Sequence, residues 1–463
     1  MVADLIVSGG TVVTAERSFP ADVAIREGRI SAVGEALAAS HHDVPTLDAT
    51  GLLVLPGCVD VHTHTRLPSD EEPDRFYQDS VAAAFGGTTT FLAFNNPGTR
   101  ISDEGSSSLL AGLREFRART AGESAVDFGL SAVMTGQQED PVAELPALIE
   151  AGVPTAKAFM VYDFRLADER LFAALRMMGR HGGMLQVHCE NATVVGALVS
   201  QALERGDIAC RHHALTRPTY AEAEATHRAI ALAQAAEASV YVVHLSCADA
   251  LAEVLAARER GWPIYAETCP HYLALTDARY GQADEAEVIK SVISPPLRSE
   301  ADRQALWLGL RGGGLDVVAT DHVPDRLDRE KQVPAPPFPQ ISNGAPGIET
   351  LLAIVYAEGV TNGRISVERM VDLLATTPAR LFGLPTKGAV ERGRDADLVL
   401  FDPNARRTVT QTSLHHTSDF TPYEGMAMTG AVRIVMLRGE PVVQDGVFHG
   451  RRGAGRFLER SLT

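Results

Sequence analysis

The chain of 463 residues carries 42 Lys and Arg against 59 Asp and Glu, a formal net charge of −17, with 45% hydrophobic and 22% charged residues. That balance is globular rather than disordered or fibrous, and the length suits one large barrel with an accessory domain. An acidic surplus of this size argues against a nucleic-acid partner, which would demand concentrated Lys and Arg.

The opening, MVADLIVSGG, lacks a basic region ahead of a long apolar core. No uninterrupted apolar run reaches membrane-spanning length, so a cytoplasmic protein with no membrane partner is expected. Residues 1 to about 55 hold β-branched runs bounded by Gly and Asp, DLIVSGGTVVT and ADVAIREGRISAVG. From about residue 388 the runs ADLVLFDP, AVRIVMLRG and EPVVQDGVF read alike. The two chain ends, 1–55 and 388–463, are therefore expected to pair into one small β domain flanking a central unit, 56–387.

In that unit, strand-like runs at 58–64, 88–94, 126–133, 153–160, 184–188, 239–244, 263–267 and 315–321 alternate with helical patterns. The segments DRFYQDSVAAAFGG, DERLFAALRMMGRHGG and EAEATHRAIALAQAAE have helical apolar spacing, and the first two carry Gly after the last turn. Eight strands, each followed by a helix, make an α/β fold of the (β/α)8 TIM-barrel type, whose catalytic residues sit at the C-terminal strand ends. The Pro-rich stretch 322–345 shows neither pattern and follows the eighth strand directly. Its place over the barrel mouth points to function.

In GLLVLPGCVDVHTHTRL an apolar run ends in His62 and His64. Side chains alternate faces along a strand, so these two imidazoles point the same way and can share a metal ion. The pair alone is weak, since 15 His in this length give roughly 0.5 chance His-x-His pairs. Lys157, His188, His244 and Asp321 strengthen it by falling at or near other strand ends. Four histidines and a carboxylate at one barrel mouth suit Zn²⁺. His41, His42, His212, His213, His415 and His416 are read as having no ligand role. An ammonium cannot bind a metal, so Lys157, beside Phe159, either snorkels to the strand end or pairs with an acid, or is converted to a carbamate that could bridge two cations. The five cysteines are odd in number and form no Cys-x-x-Cys, which reads as reduced structural thiols.

Over nearly its whole length the chain resembles the cyclic amidohydrolases of the dihydropyrimidinase and hydantoinase family. The matching motifs are GCVDVHTH, AFGGTTT, KAFMVY, VHCEN, RHHALTRPTYAEAEATHRAIALA, VYVVHLSCADAL, ETCPHYL, SPPLR, VATDH, SNGAPGIE and GRDADLVLFDP. The resemblance implies a (β/α)8 barrel with a β-sandwich built from both termini, and two Zn²⁺ per chain bridged by carboxylated Lys157 and a hydroxide. His62 and His64 would bind the more buried ion with Asp321, and His188 and His244 the other. Asp321 would accept a proton and pass it to the leaving nitrogen as the cyclic amide opens. Tyr162 would donate to the developing oxyanion, its alternative being a rim aromatic. Ser294 and Asn343 match positions whose backbone groups bind the imide edge of the ring. The implied reaction opens a dihydropyrimidine or 5-substituted hydantoin to the N-carbamoyl amino acid, in a homo-oligomer of two or four copies.

One departure bears on substrate. Relatives acting on hydantoins usually carry an acidic residue after the histidine pair, whereas here Arg66 follows His64 and Thr65, and Asn95 follows the second strand. That arrangement is similar to the dihydroorotases, where such groups hold a substrate carboxylate. The other reading pairs Arg66 with Asp70, Glu71 or Glu72 on an exposed loop. Allantoinase or dihydroorotase chemistry therefore stays as an alternative, and a non-catalytic scaffold as a remote one that the full ligand set opposes.

Overall fold

The computed structural model describes residues 3–41, 43–94, 108–332 and 336–462. From residue 58 the chain alternates strand and helix, and successive strands pair in parallel: Cys58–Thr63, Thr88–Ala93, Asp127–Leu130 with Ala132–Val133, Thr155–Phe159, Met184–His188, Val240–Val242, Ile264–Thr268 and Val317–Val318. The run expected at 126–133 is divided at Ser131, its first part pairing with Thr88–Ala93 and its second with Thr155–Phe159. Thr63 bridges His322 in parallel, so the residues just beyond the last strand lie beside the end of the first.

Runs rich in apolar and β-branched residues, without polar alternation, form these strands because both faces are covered. Every residue of Cys58–Thr63, Thr88–Ala93 and Thr155–Phe159 is buried. Helices occur where the 3.6-residue spacing placed them, at Arg75–Phe85, Asp168–Arg180 and Thr219–Ala235. Asp168 and Glu169 in the first turn and Arg180 in the last complement the dipole of their helix. Gly87, at φ 86°, takes the left-handed conformation that ends the first helix and starts the next strand.

Strands from both chain ends share one seven-stranded sheet, in which Leu53–Pro56 lies between Thr11–Val13 and Leu398–Thr408. A four-stranded sheet of Arg29–Gly34, Asp22–Arg26, Leu5–Ser8 and Thr46–Asp48 packs on it through Val7, Val23, Val54, Leu398 and Met436. Residues 456–460 leave these sheets and run along Asp127–Leu130, with Leu458 N donating to Phe128 O at 2.8 Å. Lys387 fills a buried nest of Asp127, Asp395 and Asp397 at 2.6, 3.0 and 2.6 Å. Arg438 donates to the same Asp127 at 2.6 Å, so two cations already serve these carboxylates.

Candidate active site

The cleft at the C-terminal ends of the parallel strands is a cavity of about 540 Å³. His64, Lys157, His188, His244 and Asp321 reach it, together with Tyr162, Ser294, Asn343 and Arg66. His62 lies beneath, fully buried, its Nε2 2.6 Å from Lys157 Nζ and 2.9 Å from Asp321 Oδ1. His64 Nε2 is 3.2 Å from the same carboxylate oxygen. The His62 and His244 rings are 5.4 Å apart and those of His188 and His244 4.5 Å apart. The six residues expected as ligands are therefore together. Asn95 lies outside the described residues, as does His42.

Backbone geometry at the strand ends aims these groups. His244, Asp321 and Tyr162 have φ of 39°, 49° and 77°, in the left-handed region that side chains other than Gly rarely adopt. Such outliers persist where the surrounding structure holds them, and they cluster at functional sites.

A layer beneath fixes the imidazoles. His62 Nδ1 donates to Glu267, whose other carboxylate oxygen accepts Tyr241 Oη–H at 2.8 Å. Burial and Lys157 press the His62 imidazole down, but Asp321 and Glu267 outweigh them and hold it above its ordinary value; an ion that displaced the proton from Nε2 would meet its lone pair at the cavity floor. Asp60 accepts from Thr320 N at 3.1 Å and Thr320 Oγ1 at 2.5 Å, tying the strand of His62 to the segment that carries Asp321. Burial pushes the Asp60 carboxyl up to about 6 against those bonds. On the opposite wall His188 Nε2 donates to Glu190 at 2.7 Å, and Arg217 to the same oxygen at 2.6 Å. Burial works against the Glu190 carboxylate, but Arg217 and His188 outweigh it and hold it well below the usual range.

The electrostatics favour a cation. Burial and neighbouring cations hold His244 well below its ordinary value, and burial takes His64 down to about 4, so both offer neutral lone pairs. Asp321 is held well below the carboxylate range because His62 and His64 outweigh its burial. Buried His244 Nδ1 has no hydrogen-bond partner among the described residues. Ligand atoms of His62, His244 and Asp321 all lie within 4.8 Å of one another. Two imidazole nitrogens and a carboxylate crowded this closely, one nitrogen orphaned, fit the donor chemistry of a divalent ion. Lys157, 1% exposed, sits 4.6 Å from the Phe94 ring and 5.2 Å from the Phe159 ring. Burial brings its ammonium down to about 8 against the pull of Asp321 and Glu267.

The Tyr162 phenol approaches the Ser294 and Asn343 side chains, its ring stacks on Phe164 at 5.2 Å, and the Arg217 guanidinium lies 5.5 Å from its centroid. Ser294 is buried, its Oγ 3.3 Å from His213 Nε2, which also reaches Ile293 O at 2.7 Å. Arg66 corrects one expectation. Its guanidinium donates to buried Asp325 at 2.8 Å, not to Asp70, Glu71 or Glu72. Glu72 is engaged by Arg75, Arg326 and Arg329. Glu267, Asp60, Glu190 and Arg217 had not been singled out. The signal for Asp60 was its alternation onto the face of His62, and for Glu267 its place at the end of the 263–267 run.

Comparison with known proteins agrees with this geometry. A model of the amidohydrolase family matches residues 53–442. The D-hydantoinase of Streptomyces coelicolor is 38% identical over 469 residues, covering 100% of this chain and 99% of its own. The crystal structure of dihydropyrimidinase from Brevibacillus agri superposes with a TM-score of 0.92 at 40% identity, over 99% of this chain and 98% of that one. The L-hydantoinase of Arthrobacter aurescens superposes at 0.89 with 28% identity, over 99% and 100%.

Proposed function

This chain belongs to the amidohydrolase family, in its hydantoinase and dihydropyrimidinase branch, and from that membership we propose that it opens a dihydropyrimidine or 5-substituted hydantoin to the N-carbamoyl amino acid. It is a cyclic amidohydrolase. The observation that carries the reading is the convergence of His62, His64, Lys157, His188, His244 and Asp321 under one cavity with Tyr162 on its wall. In this reading the eight parallel strands close as a (β/α)8 barrel, supported by the Thr63 to His322 bridge. Residues 1–55 and 388–463 form the β-sandwich, from which 456–460 cross to the barrel.

His62, His64 and Asp321 would hold one divalent ion and His188 and His244 a second, with Lys157 as a carbamate between them. Zinc fits the nitrogen and oxygen donors. Bound ions would acidify a water and polarise the ring carbonyl. Lys157 suits carboxylation because an amine at about 8 has an appreciable neutral fraction to attack carbon dioxide. Asp321, facing the cavity, takes the proton of the attacking water and returns it to the departing ring nitrogen. Tyr162 donates to the carbonyl oxygen as charge develops there. The backbone at Ser294 and Asn343 reads the imide edge, and Phe94, Val133, Phe164, Val323 and Ile341 offer apolar cover to the ring substituent.

Pairing of Arg66 with Asp325 supports a neutral ring over a carboxylated one, since the guanidinium is already compensated. Assembly as a dimer or tetramer is part of the same proposal, supported by large apolar side chains exposed along one stretch, Leu203, Ile208, Leu215 and Tyr220. Five free, buried cysteines agree with a cytoplasmic location.

The test is elemental analysis with a ring-opening assay on protein purified without chelator. About two divalent ions per chain are expected, together with an adduct of about 44 daltons on Lys157 from carbon dioxide addition. Full activity with one ion or none would end the binuclear reading, and an unmodified Lys157 in active protein would end the carbamate. Arg66→Ala should leave opening of dihydrouracil or a hydantoin nearly unchanged. Loss of turnover in that variant, with dihydroorotate preferred by the wild type, would reassign the substrate and leave the hydrolase intact.

A further inference from the structure

Lys331 lies in the loop beyond the last parallel strand, fully buried and outside the cavity lining. Its ammonium donates to Val292 O at 2.8 Å and to Ser342 O at 2.7 Å. The first carbonyl is two residues before Ser294 and the second immediately before Asn343, and these are the two side chains that approach the Tyr162 phenol. A single cation thus spans two backbone segments that meet only in the fold. His213 holds the neighbouring Ile293 carbonyl from another side, but the 342 segment is reached by Lys331 alone of the two. The nearest acid is buried Asp325, 4.0 Å from Nζ and itself bonded to Arg66.

Burying an ammonium with no carboxylate in direct hydrogen bond is costly, and an apolar side chain of similar length would avoid that cost. What such a side chain could not do is donate to two carbonyls at once. Without the donors the 292–294 and 342–343 segments lose the link that sets their separation, and the phenol rests between them. We infer that Lys331 is a positioning residue for Tyr162, holding the Ser294 and Asn343 segments at the spacing that presents the phenol to the ring carbonyl. This rests on the oxyanion role given to Tyr162 above.

The experiment measures kcat and KM for the best cyclic ureide with wild type, Lys331→Met, Tyr162→Phe and the double variant, with metal content and circular dichroism as controls. Lys331→Met should keep its metal and lose about ten- to hundred-fold in kcat with a smaller change in KM, as displacement of a positioned group does. In the Tyr162→Phe background the same substitution should cost no further kcat, because its effect on the chemical step passes through the phenol, whereas the change in KM, which reports the Ser294 and Asn343 backbone at the imide edge, should persist. Full additivity of the two losses, or normal kcat in Lys331→Met, overturns the inference while leaving Tyr162 in the mechanism. Normal turnover in Tyr162→Phe removes the oxyanion role and the inference with it. If Lys331→Met does not fold, Lys331→Gln keeps two N–H donors on a shorter side chain. That variant should show a smaller loss with the same non-additivity, and additivity there overturns the inference equally.

Discussion

Glu267 and Asp321 illustrate two different demands on a carboxylate in one site. Glu267 is fully buried and reaches no solvent, yet it fixes which nitrogen of His62 faces the cavity. Replacing it by Gln removes the charge that makes the imidazole a better donor, while the amide keeps the shape. On the proposed role of His62 as a metal ligand, metal affinity should fall about 10- to 100-fold, as on losing the partner of a ligating histidine, with the fold retained. Chelator competition measures this, and an unchanged dissociation constant would show that His62 needs no such support. Asp321→Asn should keep the fold and lose most of kcat, because an amide neither ligates as an anion nor accepts a proton. Near-normal turnover would take Asp321 out of the proton path.

Helices were legible because their burial has a period, and strands because they are short buried runs bounded by turn residues. The strands that carry His62, Lys157 and His188, and the one that stops two residues before His244, are covered on both faces, and their mostly apolar or β-branched runs survive in the bare sequence. Contacts between distant residues leave no such trace. Arg66 has three acids in the six residues that follow it, yet its partner is 259 residues away. Nor did any periodicity announce that residues 456–460 would cross to Asp127–Leu130, where Arg460 is buried and donates to Thr155 Oγ1 at 2.9 Å. The mark of that crossing is glycine. Gly383 has φ 71°, and a Cβ there would lie 2.1 Å from Ser461 O. Gly363 has φ 65° with nothing within 4 Å. Gly363→Ala should therefore cost only the left-handed conformation, about 1 to 2 kcal/mol, whereas Gly383→Ala should cost more by displacing the tail. Thermal unfolding of the two variants compares them directly. Equal losses would mean that the tail yields freely and does not clamp the strands.

For the whole molecule, the buried neutral histidines set a dependence of stability on pH. Burial holds His213 down to about 3, and His271 and His416 down to about 4, from an ordinary value of 6.5. Below pH 6.5 the unfolded chain binds protons at these imidazoles and the folded chain does not. Stability rises with pH wherever the unfolded state holds more protons, so here it falls as pH drops from about 6.5. Depressed carboxylates such as Glu190 and Asp79 add their own loss only below about 4.5, where unfolded acids begin to protonate. Between 6.5 and 4.5 the histidines are opposed only in part by Asp60, whose carboxyl at about 6 takes up its proton in the folded state first and so gains stability as pH falls. Metal release would add to the loss in that window, so the informative comparison is between two proteins with the same ligand set. His213 touches Ile293 and Ser294 and none of the six ligands proposed above, and in His213→Gln the amide can still donate to the Ile293 carbonyl. The melting temperature of that variant should fall less steeply than that of the wild type as pH is lowered from 6.5 to 4.5, by the contribution of one proton. Parallel curves would show that His213 is protonated equally in both states and that its burial exerts no pull on the fold.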